Sequence, residues 1–357
     1  MPPLIPIVIP AYDPDERLVF LLKRLCKNKL FPVILVDDGS HSECQIFFKQ
    51  AKEILKDNVI ILKHENNCGK GRALKTAFSY VLKKYPTAIG VVTADSDGQH
   101  TPACIRKIYT ALVKYTDQLI LGVRNFQGSN VPWKSAFGNK LTSKILQFIS
   151  GASIDDTQTG LRGIPVSLMP KLLLIPENRF EFETKMLLIG LKESTICQVP
   201  IKTVYDSVDN HQTHFRPIVD SLKIYRVLGM QFFKYGLAAI TSCLLDLFLF
   251  VLFCDIFQKY SEIWYISLAT VGARFLSSVY NYLVNYHVTF SNKKNIRKSS
   301  ILYTLLAIAQ MIVSAFFVTI GYRIFGFISK LLIKIIVDTI LFFVSYYIQR
   351  RYVFHQN

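Results

Sequence analysis

The stretch VVTADSDGQH, residues 91–100, runs an apolar segment into two aspartates at i and i+2, Asp95 and Asp97, followed by Gln99 and His100. Two carboxylates at that spacing, where a strand gives way to a loop, can converge on one hard cation. Mg2+ takes one or two carboxylates and completes its shell with water and the oxygens of a diphosphate. The spacing alone is common and such pairs also cap helices, so its meaning depends on what else reaches the same place. Other charged residues fall at equivalent points: Asp37 and Asp38 end the apolar run VILVDD, and Arg124 follows QLILGV.

These residues need a frame that gathers strand ends. LIPIVIP and VILVDD are continuous apolar runs, as parallel strands buried on both faces should be. VIIL (59–62), AIGVVTAD (88–95) and QLILGV (118–123) continue the series, with helical patterns near 70–84 and 101–115 between them. Asp13 as N-cap, Pro14 at N1 and Glu16 at N3 predict the first helix start, and Thr101-Pro102 opens another. The alternation predicts an open, Rossmann-like, mostly parallel sheet with ligands at the carboxyl ends of its strands. From 129 to 228 the pattern loosens. There IPVSLMPKLL and RFEFETKMLLIGL read as helices and TICQVPIKTVY as extended chain.

The chain has 357 residues, 51% of them hydrophobic, with 42 Lys and Arg against 25 Asp and Glu. That length predicts two domains. Four apolar runs, Phe232–Cys254, Trp264–Tyr286, Ile301–Tyr322 and Leu331–Ile348, are each long enough to cross a bilayer core of roughly 30 Å. The predicted organisation is a soluble domain over 1–216, an interfacial or surface helix over 217–230, and an all-α transmembrane domain of four helices over 231–357. Residues 229–357 hold four acids, Asp246, Asp255, Glu262 and Asp338, leaving 21 of the 25 in residues 1–228 beside 30 of the 42 bases. Both halves are basic, which suits anionic headgroups and phosphorylated ligands. Nucleic acid is excluded as a partner, because no basic helix is interleaved with aromatics and no zinc spacing occurs.

Basic loops set the orientation. Lys223, Arg226 and Lys234, then Lys293, Lys294, Arg297 and Lys298, then Arg350 and Arg351 all fall on one side of a four-span topology. The positive-inside rule places that side, with the soluble domain and the C-terminus, in the cytoplasm. Arg323, Lys330 and Lys334 weaken the bias without reversing it. MPPLIPIVIPAY lacks the basic region of a signal peptide. Seven cysteines (Cys26, Cys44, Cys68, Cys104, Cys197, Cys243 and Cys254) include no CxxC pair, as expected for thiols in a reducing compartment.

The apolar half repeats. NYLVNYHVTF (281–290) aligns with SYYIQRRYVF (345–354), and KYGLAAI (234–240) more weakly with LYTLLAI (302–308). Each repeat is a pair of spans, so both copies insert in the same direction. Asp246, Arg274 and Asp338 lie inside the runs, where each costs about 2.5–3.5 kcal/mol at the bilayer centre unless paired. Arg274 and Asp338 are equivalent in the repeat. The prediction is that Arg274 is neutralised by Asp338, Asp246 or both. Such a cluster is either a packing clamp or a polar site for a lipid phosphate, and two acids beside one arginine favour the clamp.

Taken together, these segments resemble glycosyltransferase family 2, in its branch of polyprenyl-phosphate sugar synthases (dolichol-phosphate-mannose-synthase-like). IVIPAYDPDE and VDDGS resemble the nucleotide-binding segments, which implies roles for Pro10, Tyr12, Glu16 and Asp38 around base and ribose. Asp37 either contacts the ribose or only shapes its turn. NNCGKGRALKTAF resembles the Gly-Lys-Gly turn, from which Lys70 would reach phosphate. ADSDGQH matches the metal motif, so the resemblance implies Mg2+ or Mn2+ on Asp95, Asp97 and Gln99. GVRNF and DDTQTGLRG resemble blocks that put Arg124 and Arg162 at the pocket, unless Arg162 pairs with Asp155 or Asp156. TVYDSVDNHQTHFRPIVDSLKIY resembles the approach to the membrane, with His214 and Arg216 near the lipid phosphate or, for His214, merely at the surface. The family implies a GT-A catalytic fold. The spans resemble the small GtrA-like membrane domain, with Gln349 standing where Asn is commoner.

The implied activity is inverting transfer of a hexose from UDP-hexose or GDP-mannose to undecaprenyl or dolichyl phosphate. The acceptor's second pKa, near 6, makes it a dianion and so a nucleophile without a general base. Asp95 and Asp97 with the cation would neutralise the leaving diphosphate, and Arg124, Arg162 and Arg216 would steer the acceptor. A homo-oligomer is compatible with all of this. A processive polysaccharide synthase is excluded, since its Gln-x-x-Arg-Trp motif is missing. A translocator of lipid-linked sugar, or a membrane scaffold with an inactive transferase-like domain, is the alternative of a different class.

Overall fold

The computed structural model describes residues 3–30, 32–124, 133–150, 152–193, 195–202, 217–259, 265–290, 296–324 and 330–354. It divides into two compact units, Met1–Val227 and Leu228–Asn357.

The first unit is built on a seven-stranded mixed sheet in the order β3-β2-β1-β4-β6-β5-β7. The strands are β1 (Ile7–Ala11), β2 (Val33–Asp37), β3 (Val59–Lys63), β4 (Gly90–Thr93), β5 (Leu119–Arg124), β6 (Arg162–Pro165) and β7 (Ile196–Ile201). Among the described residues, β6 alone runs antiparallel to its neighbours, β4 and β5. β2 and β4 are buried along their whole length, as apolar runs covered on both faces must be. Helices α1 (Glu16–Lys27), α2 (Gln45–Leu55), α3 (Lys70–Lys84) and α4 (Pro102–Lys114) cross over between the parallel strands, and α1 buries Leu18, Leu21, Leu22 and Leu25. α5 (Trp133–Ser150), α6 (Met169–Leu173) and α7 (Glu181–Glu193) follow.

Two local expectations change. The first helix is capped by Asp15, whose side chain accepts from Arg17 N, and not by Asp13. Asp13 adopts φ +45° and its carboxylate accepts from His41 N at 2.9 Å, so it belongs to the turn after β2. Part of the segment read as helix from Ile164 is instead strand β6. Thr93 Oγ1 donates to Gly160 O at 2.8 Å and fixes the chain that leads into it.

The second unit consists of helices. α8 runs unbroken from Pro217 to Phe257, so the segment 217–230 is the start of a longer helix. It is followed by α9 (Tyr265–Val284), α10 (Ile296–Ile324) and α11 (Lys330–Ile348). Four spans were expected. Among the described residues, two segments are long and apolar enough to cross a membrane, Phe232–Phe257 and Ile296–Ser314. α9 carries Arg274, and α11 carries Lys334 and Asp338, within their apolar runs.

The repeat is visible as internal pseudo-symmetry. Both copies end in a π-turn, Asn285–Thr289 and Gln349–Val353, closed by Phe290 N to Asn285 O (2.9 Å) and Phe354 N to Gln349 O (2.7 Å). Equivalent residues meet each other. Phe290 stacks on Phe354 at 5.0 Å, and Asn285 Nδ2 faces Gln349 Oε1 at 3.4 Å. Tyr235 packs on Tyr346 at 5.1 Å while their counterparts Tyr303 and Tyr282 pack at 5.4 Å. Self-contact of equivalent positions is the mark of a two-fold relation between the halves.

Candidate active site

The strand ends gather the charged residues as their spacing implied. Asp38, just beyond β2, is buried and serves as a hub. Its Oδ1 accepts from Cys68 N (3.0 Å) and meets His64 Nδ1 (2.7 Å), and its Oδ2 accepts from Gly69 N (2.7 Å). His64 Nε2 lies 2.9 Å from Thr76 Oγ1, so both ring nitrogens have partners. Asp37 shapes the turn: it accepts from Ser40 N and Gln45 Nε2. Pro10 lies in β1 opposite Val36, Tyr12 follows that strand, and exposed Glu16 opens α1. A cleft of about 520 Å3 is lined by Glu16, Arg17, Phe20, Phe47, Asp97 and Gly98, among others.

Gly69, with φ +97°, starts α3 and aims Lys70 across the site. Lys70 Nζ stands 2.7 Å from Asp95 Oδ1 and 3.0 Å from Glu183 Oε2. Burial acts to lower the Lys70 pKa, but the two carboxylates overcome it and hold the ammonium above its usual value. Burial likewise acts to raise Asp95, yet Lys70, with His100, holds it well below the carboxylate range. Asp97 goes the other way, pushed up by burial and by the charge on Asp95. Its Oδ1 accepts from Gln99 N at 3.0 Å.

Arg124 at the end of β5 is held by buried Asp156 through Nε (2.6 Å), Nη2 (3.0 Å) and its own backbone N (3.2 Å). Arg162 is not positioned to steer a ligand. It is 1% exposed, and its guanidinium donates to Thr159 O and Glu183 O, both at 2.8 Å, with Glu183 Oε1 at 4.0 Å. The reason is topological: Arg162 begins β6 inside the sheet, so its side chain clamps β6 to α7. His214 and Arg216 lie outside the described residues.

In the helical unit, Arg274 Nη2 lies 3.6 Å from Asp246 Oδ2, and Ser277 Oγ donates to Asp246 Oδ1 at 2.8 Å. At the equivalent place in the second repeat, Ser314 Oγ donates to Asp338 Oδ1 at 2.7 Å.

Glu183, His64, Thr76 and His100 join the site without having been singled out by spacing. Glu183 is remote in sequence, and a helical RFEFETK segment carries no sign of facing the strand ends. His100 was visible beside Gln99 but had no assigned partner.

The donor set at the end of β4, two carboxylates two residues apart, suits a divalent cation in kind. Burial, with the charge of Asp95 second, raises the Asp97 carboxyl, and the ammonium of Lys70 sits between Asp95 and Glu183. Both ring nitrogens of buried His100 lack a hydrogen-bond partner among the described residues, and Nε2 lies 3.5 Å from Asp95 Oδ2. Asp95, Asp97 and His100 do not converge on one point in this arrangement. Among the described residues, the His/Cys/Asp/Glu group whose donor atoms all lie within 4.8 Å of one another is Asp38, His64 and Cys68.

Residues 7–173 match the model of glycosyl transferase family 2. A UDP-N-acetylglucosamine–dolichyl-phosphate N-acetylglucosaminyltransferase of Methanococcus voltae is 31% identical over 219 residues, covering 57% of this chain and 86% of the relative. An uncharacterized protein of Methanocaldococcus jannaschii is 28% identical over 204 residues, 56% of this chain and 81% of the relative. An undecaprenyl-phosphate 4-deoxy-4-formamido-L-arabinose transferase of Aeromonas hydrophila is 27% identical over 181 residues, 49% of this chain and 52% of the relative. The chain belongs to glycosyl transferase family 2.

Proposed function

We propose that this protein is a membrane-bound inverting glycosyltransferase that moves a hexose from UDP-hexose or GDP-mannose to a polyprenyl phosphate, undecaprenyl or dolichyl. The observation that carries this reading is the Asp95–Lys70–Glu183 cluster at the carboxyl end of β4, with Asp97 two residues on. The names of the Methanococcus and Aeromonas relatives, which couple sugar transfer to dolichyl and undecaprenyl phosphate, support the acceptor class. The helical unit, read as GtrA-like, anchors the chain, with the catalytic unit and C-terminus cytoplasmic.

Chemically, an acceptor phosphate oxygen attacks the anomeric carbon while the bond from that carbon to the nucleoside diphosphate breaks. The diphosphate leaves with the electron pair, and direct displacement inverts the centre. The acceptor is already ionised, so no residue has to remove a proton. Mg2+ or Mn2+ held by Asp95 and Asp97, with Gln99, would offset charge on the leaving diphosphate. Lys70, 2.7 Å from Asp95, supplies a protein cation on the same side. Asp38 fixes the Gly-Lys-Gly turn on the nucleotide side through Cys68 N and Gly69 N. Arg124, oriented by Asp156, is the candidate for placing the acceptor phosphate, with Arg216 as a second.

The test uses purified full-length protein in detergent with polyprenyl phosphate and Mg2+ or Mn2+, offered UDP-glucose, UDP-galactose, UDP-N-acetylglucosamine and GDP-mannose separately. The expected result is a chloroform-extractable sugar from one donor, lost with chelator and in Asp97→Ala. Absence of nucleotide binding under all conditions would reject the enzyme and favour the translocator or scaffold.

A further inference from the structure

The two glycines that flank Lys70 face a distant part of their own chain. A Cβ on Gly69 would lie 2.6 Å from Asn178 O and 2.7 Å from Arg179 Cγ, and one on Gly71 would lie 2.4 Å from Phe182 Cβ and 2.9 Å from Arg179 O. A side chain at either position would push residues 178–182 off the start of α3. Hydrogen bonds hold the same segment there. Arg72 N donates to Asn178 O at 2.9 Å, and the buried Lys75 ammonium donates to Ile175 O at 2.8 Å and to Glu177 O at 3.1 Å. Delivery of Glu183 to Lys70 accounts for the contact at Gly71. The contact at Gly69 is made by Asn178 and Arg179, and has to be explained separately.

Arg179 is thereby fixed beside the Gly-Lys-Gly turn. Its Cγ packs over Gly69, yet the residue is exposed, and its guanidinium has no hydrogen bond or ion pair among the described residues. Its charge is felt at Tyr12, where burial, Asp13 and Asp38 raise the phenol and Arg179 opposes them. Tyr12 follows β1, and Asp38 accepts from Gly69 N at 2.7 Å, so the guanidinium stands among the residues at the ends of β1 and β2. The other cations of the site are committed. Lys70 lies between Asp95 and Glu183, Arg124 is held by Asp156, and Arg162 is enclosed against α7. An arginine with a fixed stem and an open, planar fork of donors suits a phosphate.

We infer that the Arg179 guanidinium binds the diphosphate of the nucleotide donor at the Gly-Lys-Gly turn, supplying the free positive charge that Lys70, held by two carboxylates, does not. The inference rests on the donor-binding reading of the site and adds to it the residue that meets the phosphates. It is read by nucleotide binding alone, with no acceptor and no turnover.

The experiment titrates purified full-length protein in detergent, with MgCl2, with UDP and with GDP by calorimetry at low and at high NaCl. The expected result is binding of one nucleotide by the wild type, weakened at least about tenfold in Arg179→Gln by loss of a charge-assisted pair of hydrogen bonds. The variant's affinity should also fall less with NaCl than that of the wild type, because one ionic contact to the ligand is gone. Lost packing over Gly69 would not change that dependence. Arg179→Lys, which keeps the charge but not the fork, should bind between the two. Arg72→Gln removes another exposed charge from the start of α3 and should stay within about threefold of the wild type, since solvent screens that charge. Thermal melting checks folding, with Arg179→Met as the second choice. Unchanged affinity in a folded Arg179 variant would overturn the inference and leave the donor site in place. So would weakened binding that keeps the wild-type salt dependence, or an equal loss in Arg72→Gln. Failure of the wild type to bind either nucleotide would overturn the donor reading itself, and the inference with it.

Discussion

Replacing Glu183 with Gln tests whether the two-carboxylate cradle around Lys70 is a stability element. Glu183 Oε2 lies 3.0 Å from Lys70 Nζ, and the side chains are 11% and 18% exposed, so solvent screens the pair little. Removing one partner of a buried ion pair costs about 3–5 kcal/mol when the other is stranded. Lys70 is not stranded here, because Asp95 remains at 2.7 Å and Gln keeps an acceptor, which brings the expected loss to about 2 kcal/mol. For a unit of this size that corresponds to a Tm drop of roughly 4–8 °C. The assay is thermal melting of the full chain in detergent with chelator present. The drop should be flat between pH 6 and 9. Lys70 is raised above its ordinary value, so its contribution is complete below that value and is lost only as pH climbs through the folded pKa. A double-mutant cycle with Lys70→Met should show coupling of about 1 kcal/mol or more. A Tm shift below about 2 °C, or single-mutant losses that simply add, would refute the cradle as a coupled unit.

Asp97→Asn should raise the Tm of the metal-free protein at pH 7 while abolishing divalent binding. Burial and Asp95 lift the Asp97 carboxyl, so its ionisation removes stability as pH rises through the folded pKa. The gain should fade below about pH 4, where the native group is already neutral; a lower Tm for the variant at pH 7 contradicts this. Gly160→Ala should weaken Mn2+ binding at least about tenfold and cost about 1–3 kcal/mol, because its Cβ would lie 2.1 Å from Asp95 Oδ2 and 2.5 Å from Oδ1. Free-ion EPR titration and melting read both effects, and unchanged Mn2+ affinity would show that Asp95 has room to move.

What the sequence made legible was periodic or adjacent. Alternating apolar runs and helices announced β1 to β5, and the helix at 70–84 and the Thr101 cap were read nearly to the residue. The repeat in the apolar half was readable because its two copies stay in one register. Features decided across the fold were not. Asp13 and Asp15 look equally able to cap α1, and a partner 28 residues away, His41, removes the first from contention. β6 is four residues containing Gly and Pro, with no strand signal of its own, and it exists because β4 and β5 need a common neighbour. Its insertion buries Arg162 and leaves Asp156 to Arg124, which reverses the pairing that proximity in sequence had suggested. Glu183 reaches Lys70 from α7, which no spacing rule connects to α3.

The charges of the cluster show what a divalent cation would add to the ammonium. Asp95, Asp97 and Glu183 bring three carboxylates, while Lys70 and Arg162 bring two positive charges. With all of them ionised the protein side is left one charge negative, which repels a diphosphate. Lys70 cannot reverse that sign, because its charge is already shared between two acids and its raised pKa reflects how firmly they hold it. A divalent ion held there would reverse it, turning an excess of one negative into an excess of one positive where the proposed leaving group's charge would develop. Arg162, fully enclosed, keeps Glu183 in place and does not meet the ligand. The DxD pair therefore remains under-neutralised in the metal-free fold. On the proposed chemistry that cost is borne at the reacting centre, so stabilising Asp97 and preserving function would be opposed demands.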